Sequence, residues 1–238
     1  MKIIYIAGRD PWEYFYESLR RIITTYSPRT VCDIGGGAHP SLSLTEITQA
    51  NIAYTVLDIS PAELDSAPAG YTKIVADICA RDLRVPGRFD MVFSKMLAEH
   101  IQAAELFHKN VYTLLNPGGI AIHFFPTLYA LPFLANKLMP EWLGKLLFTR
   151  FAQLDTPEHK KFHALYYWCR GPTRRQVRRF EGLKYEVLEY AGFFGHKYYA
   201  KIPLLREFHR LCVWIAIRFP NPHFTSFAVV VLRRPQSD

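Results

Sequence analysis

Short apolar runs recur along the chain at spacings typical of strands that alternate with helices. The alternation between Thr30 and Phe125 predicts a parallel sheet with helices on both faces, which is an α/β, doubly wound fold. Two further runs near the C-terminus raise the number of predicted strands to seven. The predicted strands are Val31–Asp33, Tyr54–Asp58, Lys73–Ile78, Phe89–Ser94, a run that ends at Phe124, Tyr185–Tyr190 and Ser226–Leu232.

Two helices have recognisable start signals. Asp10 offers an N-cap, Pro11 suits the first helical position, and Glu13 follows in the first turn, so a helix is expected from there to about Tyr26. Thr173-Arg174-Arg175-Gln176 has the spacing of a capping box, which predicts a second helix that ends near Gly182.

Two long segments interrupt the strand pattern. Residues 127–170 are rich in large apolar side chains and predict short amphipathic helices that form a lid over one edge of the sheet. Residues 193–221 form a second insertion, in which apolar residues at helical spacing accompany three arginines. The apolar residues are Leu204, Phe208, Leu211, Cys212, Ile215 and Phe219, and the arginines are Arg206, Arg210 and Arg218.

The first predicted strand leads into a glycine loop. Asp33 is followed by Ile34 and then by Gly35, Gly36 and Gly37, and a second strand ends in Asp58 about twenty residues further on. Glycines let backbone amides approach a ligand closely, and a carboxylate after the second strand accepts hydrogen bonds from ribose hydroxyls. This layout indicates a site for a cofactor that contains a nucleoside.

In order, type and spacing, the segments from about residue 28 to residue 126 resemble the successive motifs of class I S-adenosylmethionine-dependent methyltransferases. The last predicted strand resembles the final strand of that fold. The resemblance implies a mostly parallel, seven-stranded, Rossmann-like sheet and S-adenosylmethionine as cofactor. His39 stands where the family usually has a third glycine, and Pro40 after it is compatible with the first turn of a helix.

The resemblance also implies roles for individual residues. Asp33 and the Gly35–Gly37 backbone face the methionine part of the cofactor, Asp58 with Ile59 binds the ribose, and Asp77 with Ile78 reads the adenine. Ser94 and Lys95 fall where the family places groups that face the cofactor and the acceptor. No metal site is predicted.

His100 is the predicted catalytic base, because an unperturbed imidazole titrates near neutral pH. Glu99 beside it is either a solvated helix charge or a functional group. Candidates for the acceptor pocket are His123, Tyr129, His163, Tyr167 and Arg170.

The 238 residues are interpreted as one methyltransferase domain. Residues 1–126 form its cofactor-binding half, residues 127–170 the lid, and residues 171–238 complete the sheet and include the basic insertion 193–221. The start of the chain has too short an apolar run for a signal peptide, and the four cysteines form no C-x-x-C pair, so a cytoplasmic location is expected.

Positive charge is concentrated in the C-terminal third. The chain has 29 Lys and Arg and 21 Asp and Glu, and residues 160–238 hold 15 of the basic side chains and only 5 of the acidic ones. This asymmetry suggests an acidic partner. The helix with Arg206, Arg210 and Arg218 could lie on an anionic membrane, so a lipid-linked acceptor and peripheral binding at the inner membrane surface stay open beside a small-molecule acceptor.

Other functions remain open at this stage. A nicotinamide-dependent oxidoreductase has a similar first βαβ unit, and a methyltransferase-like binding module would keep the fold without turnover. A nucleic-acid substrate is not favoured, since no acceptor tetrad such as Asn-Pro-Pro-Tyr follows the fourth strand and no RNA-binding module is recognisable. The sequence leaves the oligomeric state open.

Overall fold

The structure is a computed structural model that describes residues 1–128, 164–196 and 203–236. Within these ranges eight strands form one sheet. The strands are β1 Lys2–Ala7, β2 Thr30–Ile34, β3 Ala53–Asp58, β4 Thr72–Val75, β5 Phe89–Lys95, β6 Leu115–Pro126, β7 Glu186–Phe194 and β8 Phe227–Arg233.

Six α-helices and two short 3-10 helices connect these strands in the described ranges. The helices are α1 Pro11–Tyr26, α2 Leu44–Gln49, α3 Pro61–Ser66, α4 Ala104–Leu114, α5 Arg174–Gly182 and α6 Pro203–Arg218, with the 3-10 turns Ala98–His100 and Pro222–Phe224. Both predicted caps are confirmed. The side chain of Asp10 accepts a hydrogen bond from the Trp12 N–H, and that of Thr173 accepts one from the Gln176 N–H.

The strand order is β1-β7-β8-β6-β5-β2-β3-β4. Only β8 runs antiparallel to its neighbours, β6 and β7, and the other described pairs are parallel. The mostly parallel α/β sheet predicted from the sequence is therefore confirmed. Because β2, β3, β5 and β6 are parallel, the loops that follow them open at the same edge of the sheet.

The sheet has one strand more than predicted. Lys2–Ala7 forms β1 and pairs in parallel with β7, from Lys2 opposite Glu189 to Ala7 opposite Phe194. Its partner lies almost the whole chain away, and β1 occupies the edge of the sheet with its first residues exposed. Such a strand depends on long-range pairing, so a local apolar pattern of six residues is a weak signal for it.

Alternate residues of β6 face the two helical layers. The Phe124 ring stacks on Phe15 of α1 with the centroids 5.4 Å apart, whereas the neighbouring His123 ring faces Phe107 of α4 at 5.3 Å. Successive side chains of a strand point to opposite faces, and each face here is covered by a helix. The core consequently extends through both faces of the sheet, which leaves its edges as the places for a ligand.

Most of the predicted lid, from residue 129 to residue 163, lies outside the described residues. The first and last residues of the predicted lid are described. Leu128 follows β6 and donates its N–H to the Cys169 carbonyl at 3.1 Å, so the chain leaves the sheet and returns to it at neighbouring points. The division of the chain into a cofactor-binding half, a lid and a completing segment stays a prediction.

Candidate cofactor and acceptor site

The glycine loop after β2 has a backbone that only glycine adopts easily. Gly35 has a φ of +75° and Gly37 a φ of +44°. A Cβ at Gly36 would lie 2.8 Å from Val56 Cγ1 and 2.9 Å from Asp33 Oδ2, which is too close for any side chain. The loop is longer than the resemblance suggested, because the helix expected at Pro40 begins at Leu44, with Ser43 as its N-cap.

Asp33 supports this loop from below. Its side chain is buried, and Oδ2 accepts hydrogen bonds from the Ser41 N–H at 2.8 Å and the Tyr54 hydroxyl at 2.7 Å. Burial raises the pKa of the Asp33 carboxyl, while these donors oppose the rise. The geometry shows a carboxylate that holds the loop in shape, and its predicted contact with the methionine part of a cofactor stays a prediction.

Asp58 ends β3 at the same edge of the sheet. Its Oδ1 accepts a hydrogen bond from the Ser60 N–H at 2.9 Å, and a Cβ at Gly37 would lie 3.3 Å from its Oδ2. Within the described residues, Oδ2 has no protein hydrogen-bond donor. The carboxylate therefore borders the glycine loop with one oxygen available to a ligand, and Ile59 after it is well exposed.

Asp77 and Ile78 lie in a loop and not in a strand. β4 ends at Val75, three residues before the predicted end, and the side chain of Asp77 turns back to accept the Cys79 N–H at 2.8 Å. The carbonyl of Ile78 accepts a hydrogen bond from the Asn110 amide of α4 at 2.7 Å. The Ala76 N–H donates to the Asp58 carbonyl at 2.9 Å, so this loop is held beside the end of β3.

Ser94 and Lys95 are adjacent in β5 but face different surroundings. Ser94 is buried, with its hydroxyl 2.8 Å from His123 Nδ1, inside the layer between the sheet and α4. Lys95 reaches the hydroxyl of Tyr16 on α1 at 3.1 Å and is only partly buried. Of these two predicted ligand-facing residues, the structure leaves Lys95 accessible at the edge of the sheet and encloses Ser94.

Solved structures of similar fold include an S-adenosylmethionine-dependent methyltransferase from Archaeoglobus fulgidus, 15% identical, with a TM-score of 0.57 over 93% of this chain and 94% of that chain. A second, from Mesorhizobium loti, is 16% identical with a TM-score of 0.56 over 92% and 96% of the two chains. Phosphoethanolamine N-methyltransferase 2 of Haemonchus contortus, solved with phosphomonomethylethanolamine and S-adenosylhomocysteine, is 14% identical with a TM-score of 0.58 over 94% and 53%. At these identities the likeness concerns the fold.

The sequence also matches a family model over part of its length. Residues 32–123, from the end of β2 to β6, match the model of the methyltransferase domain. This match and the fold together support a methyltransferase. A comparison of the sequence with characterised proteins found no significant match. These findings do not favour the nicotinamide-dependent alternative.

The cofactor of this methyltransferase is S-adenosylmethionine, and the residues at the sheet edge fit it. The glycine loop passes close to the end of β3, and a Cβ at Gly37 would lie 3.3 Å from the free oxygen of Asp58. A carboxylate there can accept hydrogen bonds from the two ribose hydroxyls. When bound, the cofactor supplies an electrophilic methyl group on a positively charged sulfur.

The turn after β5 brings His100 to the same edge. Leu97 in this turn packs against Gly35, with side-chain atoms 3.2 Å from the position of a Cβ there. His100 ends the 3-10 helix Ala98–His100, and its side chain is 30% exposed. The methyltransferase therefore presents an accessible imidazole on a turn that contacts the cofactor loop.

In this turn, the environment of Glu99 differs most from what the sequence predicted. Its side chain is only 3% exposed, so it is not a solvated helix charge. Burial raises the pKa of the carboxyl to about 8. The local pattern gives no sign of a buried acid here, because the neighbours of Glu99 include Leu165 and Tyr166, on the far side of the lid segment.

Two of the predicted acceptor residues have side chains committed to contacts within the protein. His123 is fully buried among Ser94, Phe107 and His108, and an acceptor-facing role does not fit this position. Arg170 directs its guanidinium to the backbone carbonyls of Tyr166 and Cys169 at 2.6 and 3.0 Å.

Tyr167 is the predicted acceptor residue that lines a pocket beside the turn of His100. It is exposed and lines a pocket of about 370 Å³ with Gln102, Glu105 and Lys109, which directly follow that turn. Tyr129 and His163 lie outside the described residues.

A larger cleft, which the sequence did not predict, lies at the same edge of the sheet. It measures about 1300 Å³ and lies between the start of α1, the end of β7 and α6. Trp12 in its wall packs edge-on against Phe124 at 5.1 Å, and the Phe124 carbonyl accepts the Met96 N–H at 2.8 Å. One wall of the cleft is thereby connected to the turn that carries His100. The cleft depends on the pairing of β1 with β7, which no local pattern reveals.

The described ranges contain no candidate metal centre. No group of three or more His, Cys, Asp or Glu side chains there has an arrangement suited to a metal ion. None of the described helices is both long and apolar enough to cross a membrane.

Proposed function

We propose that this protein transfers the methyl group of S-adenosylmethionine to an amphiphilic small molecule or a lipid-linked acceptor. The observation that carries the proposal is the large cleft between α1, β7 and α6, because one of its walls is a helix whose other apolar side chains face solvent. Leu211, Trp214 and Ile217 of α6 line the cleft. The same helix therefore borders both a binding cleft and the outer surface.

The exposed face of α6 is unusually apolar. Phe208 is 57% exposed and Phe219, directly after the helix, is 72% exposed, and Ile215 is also exposed. The opposite face rests on the end of β7, where the His209 Nε2 accepts the His196 N–H at 3.2 Å. Contiguous exposed apolar residues of this kind mark a surface that binds a membrane or a partner.

Charge favours an anionic membrane as the surface that α6 contacts. Arg206, Arg210 and Arg218 are exposed on this helix, and the chain as a whole has a net charge of +8. A helix with apolar residues on one side and arginines beside them lies in a membrane interface, with the arginines on anionic head groups. We further propose that the protein works in the cytoplasm at the inner membrane surface, where a lipid-linked acceptor reaches the cleft.

In the proposed reaction His100 acts as the general base. Transfer of a methyl group from a sulfonium is an in-line displacement, so the protein mainly aligns the two reactants and excludes water. A base is needed when the acceptor is a hydroxyl, a protonated amine or an acidic carbon. The position of His100, on a turn that packs on Gly35, supports this role.

Co-sedimentation with liposomes tests the membrane part of the proposal. The protein should pellet with vesicles of anionic phospholipid at low salt and be released as salt rises, because exposed charges are screened. The double variant Arg206→Glu and Arg210→Glu should stay in the supernatant. The matched control is Arg174→Glu with Arg178→Glu on α5, which changes net charge equally and should still pellet.

A wild-type protein that stays soluble with every vesicle composition would contradict membrane binding. The acceptor class is tested separately, by incubating the protein with labelled S-adenosylmethionine and separated lipid and aqueous fractions of the host extract. Label in the lipid fraction supports the proposal. Label only in water-soluble compounds would contradict a lipid-linked acceptor and leave methyl transfer itself intact.

A further inference from the structure

The Glu99 carboxyl is enclosed next to an accessible histidine. Its Oε2 is buried and has no hydrogen-bond partner in the described residues, and its Oε1 lies 3.8 Å from His100 Nε2. This distance is an ion-pair contact and exceeds that of a hydrogen bond. Loss of water around the buried carboxyl disfavours its charged form more than the hydrogen bond from its own backbone N–H stabilises it, so Glu99 holds its proton at neutral pH.

The groups that face Glu99 from the neighbouring segment do not neutralise it. Cys169 is buried, and both burial and the nearby Glu99 raise the pKa of its thiol. The Arg170 guanidinium donates to the carbonyls of Tyr166 and Cys169. Across the described part of the chain, His100 is the one basic side chain within ion-pair distance of Glu99.

The backbone of Glu99 fixes the turn in place. Its carbonyl accepts hydrogen bonds from the Leu165 N–H at 2.6 Å and the Tyr166 N–H at 3.0 Å. On the other side, Leu97 packs on the glycine loop at Gly35. The turn is thus held between the cofactor loop and the segment that follows the predicted lid. Contacts on both sides therefore fix the backbone that carries Glu99 and His100.

We propose that Glu99 is a positioning residue that sets the base strength of His100 through their buried contact. The proposal rests on the function proposed for His100. A protonated Glu99 presents no charge to His100, whereas an ionised Glu99 stabilises the imidazolium in surroundings of low dielectric constant. In the transfer step the acceptor atom bonds to the methyl carbon, the carbon–sulfur electron pair passes to sulfur, and the acceptor proton passes to His100. Ionisation of Glu99 favours that last movement.

Nuclear magnetic resonance of ¹⁵N-histidine-labelled protein with S-adenosylhomocysteine as the added ligand tests the contact without any acceptor. The His100 signal is assigned by its loss in His100→Gln. In the wild type this signal should shift a second time near pH 8, when Glu99 ionises, and in Glu99→Gln that second shift should be absent. In two interacting groups the signal of one also reports the titration of the other, so loss of the second shift in Glu99→Gln assigns that shift to the carboxyl.

Superimposable His100 titrations in the wild type and Glu99→Gln would overturn the proposal. If Glu99→Gln does not fold, Glu99→Asp serves instead, and its second shift should move because a different acid titrates. An unchanged shift near pH 8 in that variant would also overturn it. This titration does not depend on turnover. If His100 proves not to be the base, the proposed function fails, but the contact between Glu99 and His100 can still be measured.

Discussion

The Tyr54 hydroxyl donates a 2.7 Å hydrogen bond to the buried Asp33 carboxylate, which joins β3 to the end of β2 beneath the glycine loop. The two strands are also paired along their length, with Cys32 opposite Thr55 and Asp33 opposite Val56. The contact means that the loop geometry depends on a residue of the second strand as well as on its own glycines.

Tyr54→Phe should lower the free energy of unfolding by about 1.5–3 kcal/mol, the range for a hydrogen bond to a charged group. Denaturant unfolding measures the change. Tyr71→Phe is the control, since the Tyr71 hydroxyl donates to the uncharged Leu42 carbonyl at 2.9 Å and its loss should cost about 0.5–1.5 kcal/mol. Equal losses of stability in both variants would mean that the hydrogen bond to Asp33 contributes no more than one to an uncharged carbonyl.

Asp58→Ala should weaken the binding of S-adenosylhomocysteine by about 1.5–3 kcal/mol, because the ribose hydroxyls lose a charged acceptor. Isothermal titration calorimetry gives the affinity. Asp65→Ala on the exposed surface of α3 removes the same charge nearby and should bind normally. Normal binding by Asp58→Ala would show that Asp58 does not bind the cofactor.

Gly37→Ala should destabilise the protein by about 1–2 kcal/mol, because an L-residue is strained at its positive φ, and should also weaken cofactor binding. The new methyl group would crowd Asp58 Oδ2 and the Glu63 Cβ, both at 3.3 Å. Gly8→Ala is the matched control. Gly8 has a φ of +72° with nothing within 4 Å of a Cβ, so its variant should lose stability and keep cofactor affinity. Parallel losses of affinity in both would contradict the role of the loop.

His100→Gln should lower kcat by about 10²–10⁴-fold, the usual contribution of a general base, while cofactor affinity stays near that of the wild type. Initial rates with the labelled acceptor fraction give kcat, and calorimetry gives the affinity. His39→Gln, an exposed histidine of the neighbouring loop, should retain turnover. A His100→Gln protein with full activity would indicate an acceptor that needs no base.

Acid should destabilise the fold through its two buried histidines. Burial lowers the pKa of His123 to about 3 and also lowers that of His108, relative to 6.5 when unfolded. The unfolded chain therefore binds more protons below about pH 6.5, and stability falls as the pH drops from there towards 3, by up to about 1.4 kcal/mol per pH unit for each histidine.

The variant His123→Phe keeps an aromatic ring in this position and cannot be protonated. Its free energy of unfolding should fall less between pH 7 and pH 5 than that of the wild type, and denaturant unfolding at both values measures the difference. Identical pH dependence would show that His123 does not titrate in this range on unfolding.

The sequence alone determined the elements whose signals are local. Asp10 and Thr173 start helices through contacts with residues two or three positions away, and the glycines of the loop permit backbone angles that other residues resist. The strands β2, β3 and β5 are short apolar runs between polar stretches. Periodicity, capping and turn chemistry operate within a few residues, so they can be read before the fold is known.

Only the tertiary structure decided which side chains of these elements are buried and which are exposed. Glu99 and His123 are buried by segments far away in the chain, and the apolar stripe of α6 faces solvent because His209 and Val213 provide the contacts to β7 and Gly195 instead. The edge strand β1 exists because β7 pairs with it. Burial and strand pairing depend on distant residues. The buried state of Glu99 and the cleft lined by Trp12 were therefore visible only in the tertiary structure.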